Sequence, residues 1–231
     1  MKITATFIVL EQEAIKGISW KSKLFHRNLL EHGIEHASQI PLIDELFILT
    51  DMDELLCQDT VAGYSVQKIW PWSIEERMDF LTCDWNRIYQ QNLVLEKAGV
   101  VSDVHFFLDW RLPLLSAKSW EQMYHFLLED RVAARVVPIY PEDPNLYTPL
   151  GDISSGRLFG VWSHPNKDRQ KVPQLYRTFN ACVTHRRRLG QPEPLTKGFC
   201  VPLIECVQTH SSQELQLAAF LSEKKEAKFE A

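Results

Sequence analysis

The chain has 231 residues, of which 45% are hydrophobic and 11% aromatic, so it can bury the core of one large folded domain and is not expected to be disordered. Its formal charge of −5 and its pI near 5.9 argue against a nucleic-acid partner, since that role needs a dominant basic surface. Five cysteines without a C-x-x-C pair are typical of reduced thiols in the cytoplasm, not of a disulfide framework or a zinc site.

Short apolar runs alternate with helical patterns, which predicts βα units around a mostly parallel sheet flanked by helices. Strands are predicted at residues 3–10, 45–50, 65–69, 104–108, 133–139, 181–184 and 199–207. Helices are predicted at residues 23–38, 53–62, 73–97, 119–129 and 211–221. No apolar run reaches the roughly 18–20 residues of a membrane-spanning helix. We therefore expect a soluble, cytoplasmic protein with no membrane partner.

Capping boxes mark the starts of three of these helices. Each has a serine followed three residues later by glutamate or glutamine, at Ser73, Ser119 and Ser211. Residues 141–172 differ in character, with prolines, glycines and short polar patches. We interpret the chain as one domain over residues 1–231, with a small inserted lobe at 141–172. The basic run at 186–188 is interpreted as a solvated face, and His105 and His125 as structural.

Three separated segments resemble the cytidylyltransferases that activate sialic acids and related nonulosonic sugars. Residues 43–55 read I-D-E-L-F-I-L-T-D-M-D-E-L, which is similar to the family's I-D-x-V-I-V-S-T-D-D-x-E-I. Residues 169–177 keep the family pattern R-Q-x-x-P-x-x-Y-R, and residues 201–218 keep the frame of its terminal strand and helix. The resemblance implies a Rossmann-like nucleotidyltransferase fold, CTP and an acidic sugar as ligands, Mg²⁺ if the protein is active, and a homodimer formed through the inserted lobe.

The phosphate loop of that family, A-R-x-G-S-K-G-x-x-x-K-N, matches this chain only in part. Lys16, Gly17 and Lys21 remain, but the arginine is replaced by Gln12 and the glycine–serine pair by residues 14–15. Two glutamates now flank the loop, and their charges would repel a triphosphate. The loop is therefore weakened, although its two lysines can still hold an anion.

The turn after the strand at 104–108 and the terminal segment also depart from the family. Where the family has L-Q-P-T-S-P-L-R, residues 108–115 read L-D-W-R-L-P-L-L. Trp110 in this turn either covers a base or fills the vacated nucleotide pocket. Residues 208–215 read Q-T-H-S-S-Q-E-L in place of D-I-D-T-P-E-D-L, so both leading aspartates that would bind Mg²⁺ are missing.

Losses at three sites favour a non-catalytic family member that regulates or supports an active sugar-activating enzyme. The first alternative is an active transferase with a rebuilt polar pocket at the carboxyl ends of the strands, in which Arg111 replaces part of the metal's charge. The site residues are then Lys21, Arg111 and Arg177 as catalytic groups and, as ligand-binding residues, Lys16, Gly17, Asp109, Trp110, Arg169, Gln170, Asn180 and His210.

The second alternative is a metal-dependent glycosyltransferase. Asp51 and Asp53 form an Asp-x-Asp motif directly after an apolar strand. The competing interpretation is that one of these aspartates caps the helix that follows.

Overall fold

The computed structural model describes residues 1–10, 18–58, 60–68, 95–97, 99–142, 150–152, 157–159, 175–179, 181–189 and 195–226. The strands of these residues are β1 (Ile3–Val9), β2 (Lys23–Leu24), β3 (Arg27–Asn28), β4 (Glu45–Thr50), β5 (Thr60–Val61), β6 (Tyr64–Lys68), β7 (Val104–Leu108), β8 (Ala133–Glu142), β9 (Leu150–Asp152), β10 (Arg157–Phe159), β11 (Leu175–Thr178), β12 (Cys182–His185) and β13 (Leu195–Cys200). The α-helices are α1 (Leu29–Ser38), α2 (Asp53–Leu56), α3 (Ala117–Glu129), α4 (Arg186–Leu189) and α5 (Ser212–Glu226), and a 3₁₀ helix covers Leu203–Cys206.

Nine of these strands form one sheet with the order β11-β8-β12-β7-β1-β4-β6-β5, and β13 pairs with β8. The pairings of β1 with β4 and β7, of β4 with β6 and of β13 with β8 are parallel. Because β12 is antiparallel to both β7 and β8, the strands β6, β4, β1, β7, β8 and β13 all run in one direction. The predicted mostly parallel α/β sheet is confirmed.

The central strands are continuous apolar runs because they are covered on both faces. Every residue of β7 is buried, and so is every residue of β1 except Ile8. On one face Ala5, Phe7 and Val9 belong to the larger core, which includes buried residues of α1 and α3. On the other face Phe107 belongs to a smaller core with Leu49, Val137 and Cys182.

The first helix is shorter than predicted. Residues 23–28 form a small hairpin of β2 and β3, and α1 begins only at Leu29. Its N-cap is Asn28, whose side chain accepts a hydrogen bond from the Glu31 backbone while the Glu31 carboxylate accepts one from the Asn28 backbone. This capping box fixes the helix start, so the prediction of a helix from residue 23 was wrong.

Three other predicted elements also need correction. The helix predicted at 53–62 stops at Leu56, because a β5–β6 hairpin follows with positive φ angles at Ala62 and Gly63. The cap of α3 is Ser116, which accepts from the Ser119 backbone, and not Ser119 itself. The strand predicted at 199–207 is replaced by β13, which ends at Cys200, and by the 3₁₀ helix.

The cap predicted at Ser211 is confirmed: its hydroxyl accepts from the Glu214 backbone N–H and donates to the Glu214 carboxylate, which also accepts from the His210 backbone N–H. Most of the helix predicted at 73–97 lies outside the described residues. The part that the structure describes, residues 95–97, is helical. Within the predicted lobe, β9 and β10 pair as an antiparallel ribbon. The single-domain division and the role of that lobe stay predictions. No helix of the described ranges is long and apolar enough to cross a membrane.

Candidate functional site

The candidate site lies at the edge of the sheet where the parallel strands end. Because β1, β4, β7 and β13 run in the same direction, the segments that follow them meet at this edge. Within the described ranges these segments comprise residues 18–22, 51–53, 109–116 and 201–211. Ligands of α/β folds bind at this edge of the sheet, so a predicted site residue supports a binding site only if it lies here.

The turn after β7 is organised by a buried ion pair. The Asp109 carboxylate accepts hydrogen bonds from Arg111 Nε at 2.8 Å and from Arg111 Nη2 at 3.1 Å, which is bidentate geometry. It also accepts from the Arg111 backbone N–H at 3.0 Å, which closes a tight turn. The side chains are 3% and 11% exposed for Asp109 and Arg111, respectively, so the two charges are largely removed from water and hold one another.

Trp110 lies between the two paired residues and is 2% exposed. It belongs to the larger core, and the Arg111 guanidinium lies 5.6 Å from the centre of its ring. Of the two interpretations of Trp110, a side chain that fills the vacated nucleotide pocket agrees with this burial. A side chain that covers a bound base would be expected to keep an accessible face.

The terminal segment is attached to this turn through Thr209. Its backbone N–H donates to the Arg111 carbonyl oxygen at 2.9 Å, and its hydroxyl donates to the same oxygen at 3.4 Å. Thr209 is buried, so these bonds are shielded from water. His210 directly follows Thr209 in the chain, and its backbone N–H donates to the Glu214 carboxylate at 3.1 Å.

The terminal segment does not offer the ligands that a Mg²⁺ ion prefers. Mg²⁺ needs hard, anionic oxygen ligands, and the terminal segment offers an amide at Gln208 and an imidazole at His210. The nearby carboxylate of Glu205 is buried and accepts from the Ser116 backbone at 3.3 Å, while that of Glu214 is used in capping α5. Within the ranges that the structure covers, no three His, Cys, Asp or Glu side chains form a metal-binding cluster.

Lys21 lies on the segment after β1, and its ammonium forms an ion pair with the Glu54 carboxylate of α2. Both side chains are 51% exposed, so this pair is far more hydrated than the one at Asp109. The Lys21 ammonium also lies 5.5 Å from the ring centre of Trp20, which is buried. Lys21 is therefore positioned by a carboxylate and an aromatic face.

The remaining predicted site residues are covered only in part. Arg177 lies in β11 opposite Tyr140 of β8, and only its backbone position is described. Five predicted residues lie outside the described part of the chain: Lys16, Gly17, Arg169, Gln170 and Asn180.

Neither interpretation of the Asp-x-Asp motif is borne out. The N-cap of α2 is Met52, without a side-chain capping bond, and Asp53 lies in the first helical turn. A carboxylate there is favoured by the helix dipole without acting as a cap. The prediction that Asp51 or Asp53 caps the helix was therefore wrong. No metal-binding cluster of three His, Cys, Asp or Glu among the described residues includes either aspartate.

The basic run at 186–188 is structural in two of its three residues. Arg188 Nη1 donates to three backbone carbonyls at and beyond the end of α3, at 2.6–2.9 Å. Arg186 Nε donates to the Glu96 carboxylate at 2.7 Å. The interpretation of this run as merely a solvated face was therefore incomplete, because these arginines tie α4 to its neighbours.

His105 is a structural residue of β7, as expected. It is buried, and its Nδ1 shares a hydrogen bond of 2.6 Å with the hydroxyl of Thr4 on β1. Burial lowers the pKa of His105 to about 3. His125, in contrast, is exposed on α3.

Two residues of the site were missed from the sequence. Thr209 corresponds to an apolar position of the family pattern, so nothing marked it as the residue that joins two loops. Glu54 belongs to the matched segment 43–55, and its acidic side chain was the available signal. Its pairing with Lys21 depends on the parallel register of β1 and β4, which the sequence does not show.

The sequence matches no protein-family model and no curated protein at a significant level. Solved structures nevertheless share its fold. CMP:2-keto-3-deoxy-manno-octonic acid synthetase complexed with CTP has a TM-score of 0.67 at 12% identity and covers 97% of this chain and 100% of its own. 4-Diphosphocytidyl-2C-methyl-D-erythritol synthase from Anaerococcus prevotii DSM 20548 has a TM-score of 0.60 at 13% identity, with 96% of each chain covered. A further 4-diphosphocytidyl-2C-methyl-D-erythritol synthase has a TM-score of 0.62 at 11% identity, covering 95% of this chain and 97% of its own. The chain therefore has the nucleotidyltransferase fold of the cytidylyltransferases.

Proposed function

We propose that this chain is a non-catalytic homologue of the acylneuraminate cytidylyltransferases, with a regulatory or scaffold role in nonulosonic acid metabolism. The observation that carries the proposal is the buried Asp109–Arg111 pair. At the turn where the family places nucleotide-reading groups, the charged side chains of this chain satisfy one another. A ligand would have to break a bidentate, buried ion pair to reach either charge, and that costs several kcal/mol.

The terminal segment supports the same proposal. Thr209 uses both its N–H and its hydroxyl on the Arg111 carbonyl, so this segment reinforces the closed turn. The residues beside it are a glutamine and a histidine, which do not replace two Mg²⁺-binding aspartates. Without a divalent ion, the charge that develops during phosphoryl transfer loses its strongest source of stabilisation.

A direct assay of cytidylyl transfer tests this proposal. The purified chain is incubated with CTP, Mg²⁺ and either N-acetylneuraminate or 2-keto-3-deoxy-manno-octonate, and pyrophosphate release is followed beside an active cytidylyltransferase. We expect no release above the protein-free control. A turnover on the order of 1 s⁻¹, ordinary for an enzyme, would contradict the proposal.

The second candidate is an active transferase with a rebuilt site. It is favoured by Lys21 and Arg111, two cationic residues on segments that follow parallel strands at the ligand-binding edge. This candidate requires that Lys21→Ala abolishes any activity found. Lys21 is the better test because it is half exposed, whereas truncation of the buried Arg111 would also destabilise the fold.

The partner and location follow from the resemblance and remain part of the proposal. We propose a cytoplasmic homodimer formed through residues 141–172, and sedimentation of the full chain beside a lobe-deleted variant tests it. The described cysteines Cys57, Cys182, Cys200 and Cys206 are free thiols, which agrees with a reducing compartment.

A further inference from the structure

Lys21 and Glu54 join two segments of the ligand-binding edge that are far apart in sequence. Lys21 belongs to the segment after β1, and Glu54 to α2 after β4. Their strands are neighbours, with Val9 opposite Thr50 at the ends of the parallel pair. The ion pair therefore joins residues 18–22 of the segment after β1 to the start of α2, next to the ends of two neighbouring strands.

A second feature of the same loop is an unused donor. Trp20, whose ring lies under the Lys21 ammonium, is buried, and its indole Nε1–H has no hydrogen-bond partner. Buried donors without an acceptor are uncommon in folded proteins. An anionic oxygen bound at Lys21, above the Trp20 ring, is the kind of acceptor that such a donor lacks.

We propose that Glu54 is an internal competitor for anions at Lys21, so that a phosphate group binds the Lys21 ammonium only by displacing the Glu54 carboxylate. The inference rests on the proposed function, because it takes Lys21 as the remnant of an anion site and makes Glu54 the residue that regulates it. The ligand chemistry is a phosphate or pyrophosphate group, which carries more negative charge than the carboxylate it displaces.

The exposure of the pair sets the size of the effect. Exposed ion pairs are screened by water, and breaking one costs at most about 1 kcal/mol. Removing the competing charge should therefore tighten phosphate binding by about two- to fivefold. The Asp109–Arg111 pair is too deeply buried to be exchanged in this way, so the competition is specific to Lys21.

The experiment is a calorimetric titration of the full chain with inorganic pyrophosphate, without divalent ions and at low ionic strength. Glu54→Gln is compared with the wild type and with Glu129→Gln, which removes one exposed carboxylate from α3. We expect Glu54→Gln to bind two- to fivefold more tightly and Glu129→Gln to bind as the wild type does. Equal affinities for Glu54→Gln and the wild type, or no binding by any variant, would overturn the inference.

A double-mutant cycle identifies the lysine through which Glu54 acts. In a Lys21→Ala background, the Glu54→Gln substitution should no longer change pyrophosphate affinity. If the tightening persists there, Glu54 acts by general charge repulsion and the inference fails. A parallel titration with N-acetylneuraminate shows whether a sugar carboxylate shares the site. If Glu54→Gln tightens only pyrophosphate binding, phosphate is supported as the ligand. If it tightens only N-acetylneuraminate binding, phosphate as the ligand is contradicted.

These outcomes are separate from those of the transfer assay. Pyrophosphate release reports whether the chain is an enzyme, whereas the titration reports competition between two anions for one ammonium. Activity with no effect of Glu54→Gln would refute both proposals, and inactivity with a Lys21-dependent effect would support both.

Discussion

His105 should make the protein less stable in mild acid by an amount that its burial sets. Its pKa falls from an ordinary 6.5 to about 3 because its imidazole is removed from water. The unfolded chain therefore binds a proton that the folded chain rejects between these two values. The contribution of neutral His105 to the free energy of unfolding is fully present above about pH 6.5 and is lost progressively as the pH drops toward 3. This sign is opposite to that of a histidine stabilised by an acidic partner.

The magnitude at pH 5 depends almost entirely on the unfolded state. Since pH 5 lies well above the folded-state pKa, folded His105 stays neutral, while unfolded His105 is about 97% protonated. Relative to neutral pH, the free energy of unfolding therefore falls by about 2 kcal/mol from this residue alone. His32 and His185 contribute in the same direction, because desolvation also lowers the pKa of each.

Urea unfolding at pH 7.5, 6 and 5 measures this contribution when the wild type is compared with His105→Gln. Glutamine does not titrate, so the variant should lose about 2 kcal/mol less than the wild type between pH 7.5 and 5. The control is His125→Gln, which removes an exposed imidazole and should leave the wild-type loss unchanged. Equal losses for His105→Gln and the wild type would refute the assigned burial.

Three further predictions concern stability in urea. Arg111→Ala should lower the free energy of unfolding by about 3–5 kcal/mol, because it leaves the buried Asp109 carboxylate unpaired. Glu54→Ala breaks an exposed ion pair and should lower it by less than about 1 kcal/mol. Similar losses for the two variants would contradict the difference in burial. Gly33→Ala should destabilise by about 1–3 kcal/mol although alanine favours helices, because its Cβ would lie 3.0 Å from the Phe7 ring, and Phe7→Leu should recover part of the loss. Arg188→Gln should lower the free energy of unfolding by about 1–3 kcal/mol, since three carbonyls at and beyond the end of α3 lose their donor. A loss below about 0.5 kcal/mol would contradict the structural role of Arg188.

The sequence predicts the central sheet well because hydrophobic runs and turn residues agree there. The predicted bounds of β4 and β7 are those of the structure, since each is an apolar run ended by polar residues. The start of α1 was misplaced because apolar spacing continues into a hairpin, and the decisive signal is the reciprocal pair of Asn28 and Glu31. Local capping chemistry, not periodicity, decides that boundary.

The candidate site was predicted less completely, because its interactions combine local and distant residues. The turn at Asp109 could be expected from aspartate's tendency to accept from the N–H two residues later, as Arg111 shows. The contacts of Thr209 with Arg111 and of Lys21 with Glu54 join segments that only the sheet brings together. A sequence without that topology presents these four residues as unrelated.

Binding of CTP with and without Mg²⁺ tests the central claim, a closed nucleotide site, most directly. A ligand at about 100 times its dissociation constant stabilises a protein by about 2.7 kcal/mol, which raises the unfolding midpoint of a chain of this size by about 5–10 °C. We predict that millimolar CTP produces no Mg²⁺-dependent rise in the thermal unfolding midpoint. A rise of several degrees that requires both CTP and Mg²⁺ would contradict the account and show that the site is open to its nucleotide.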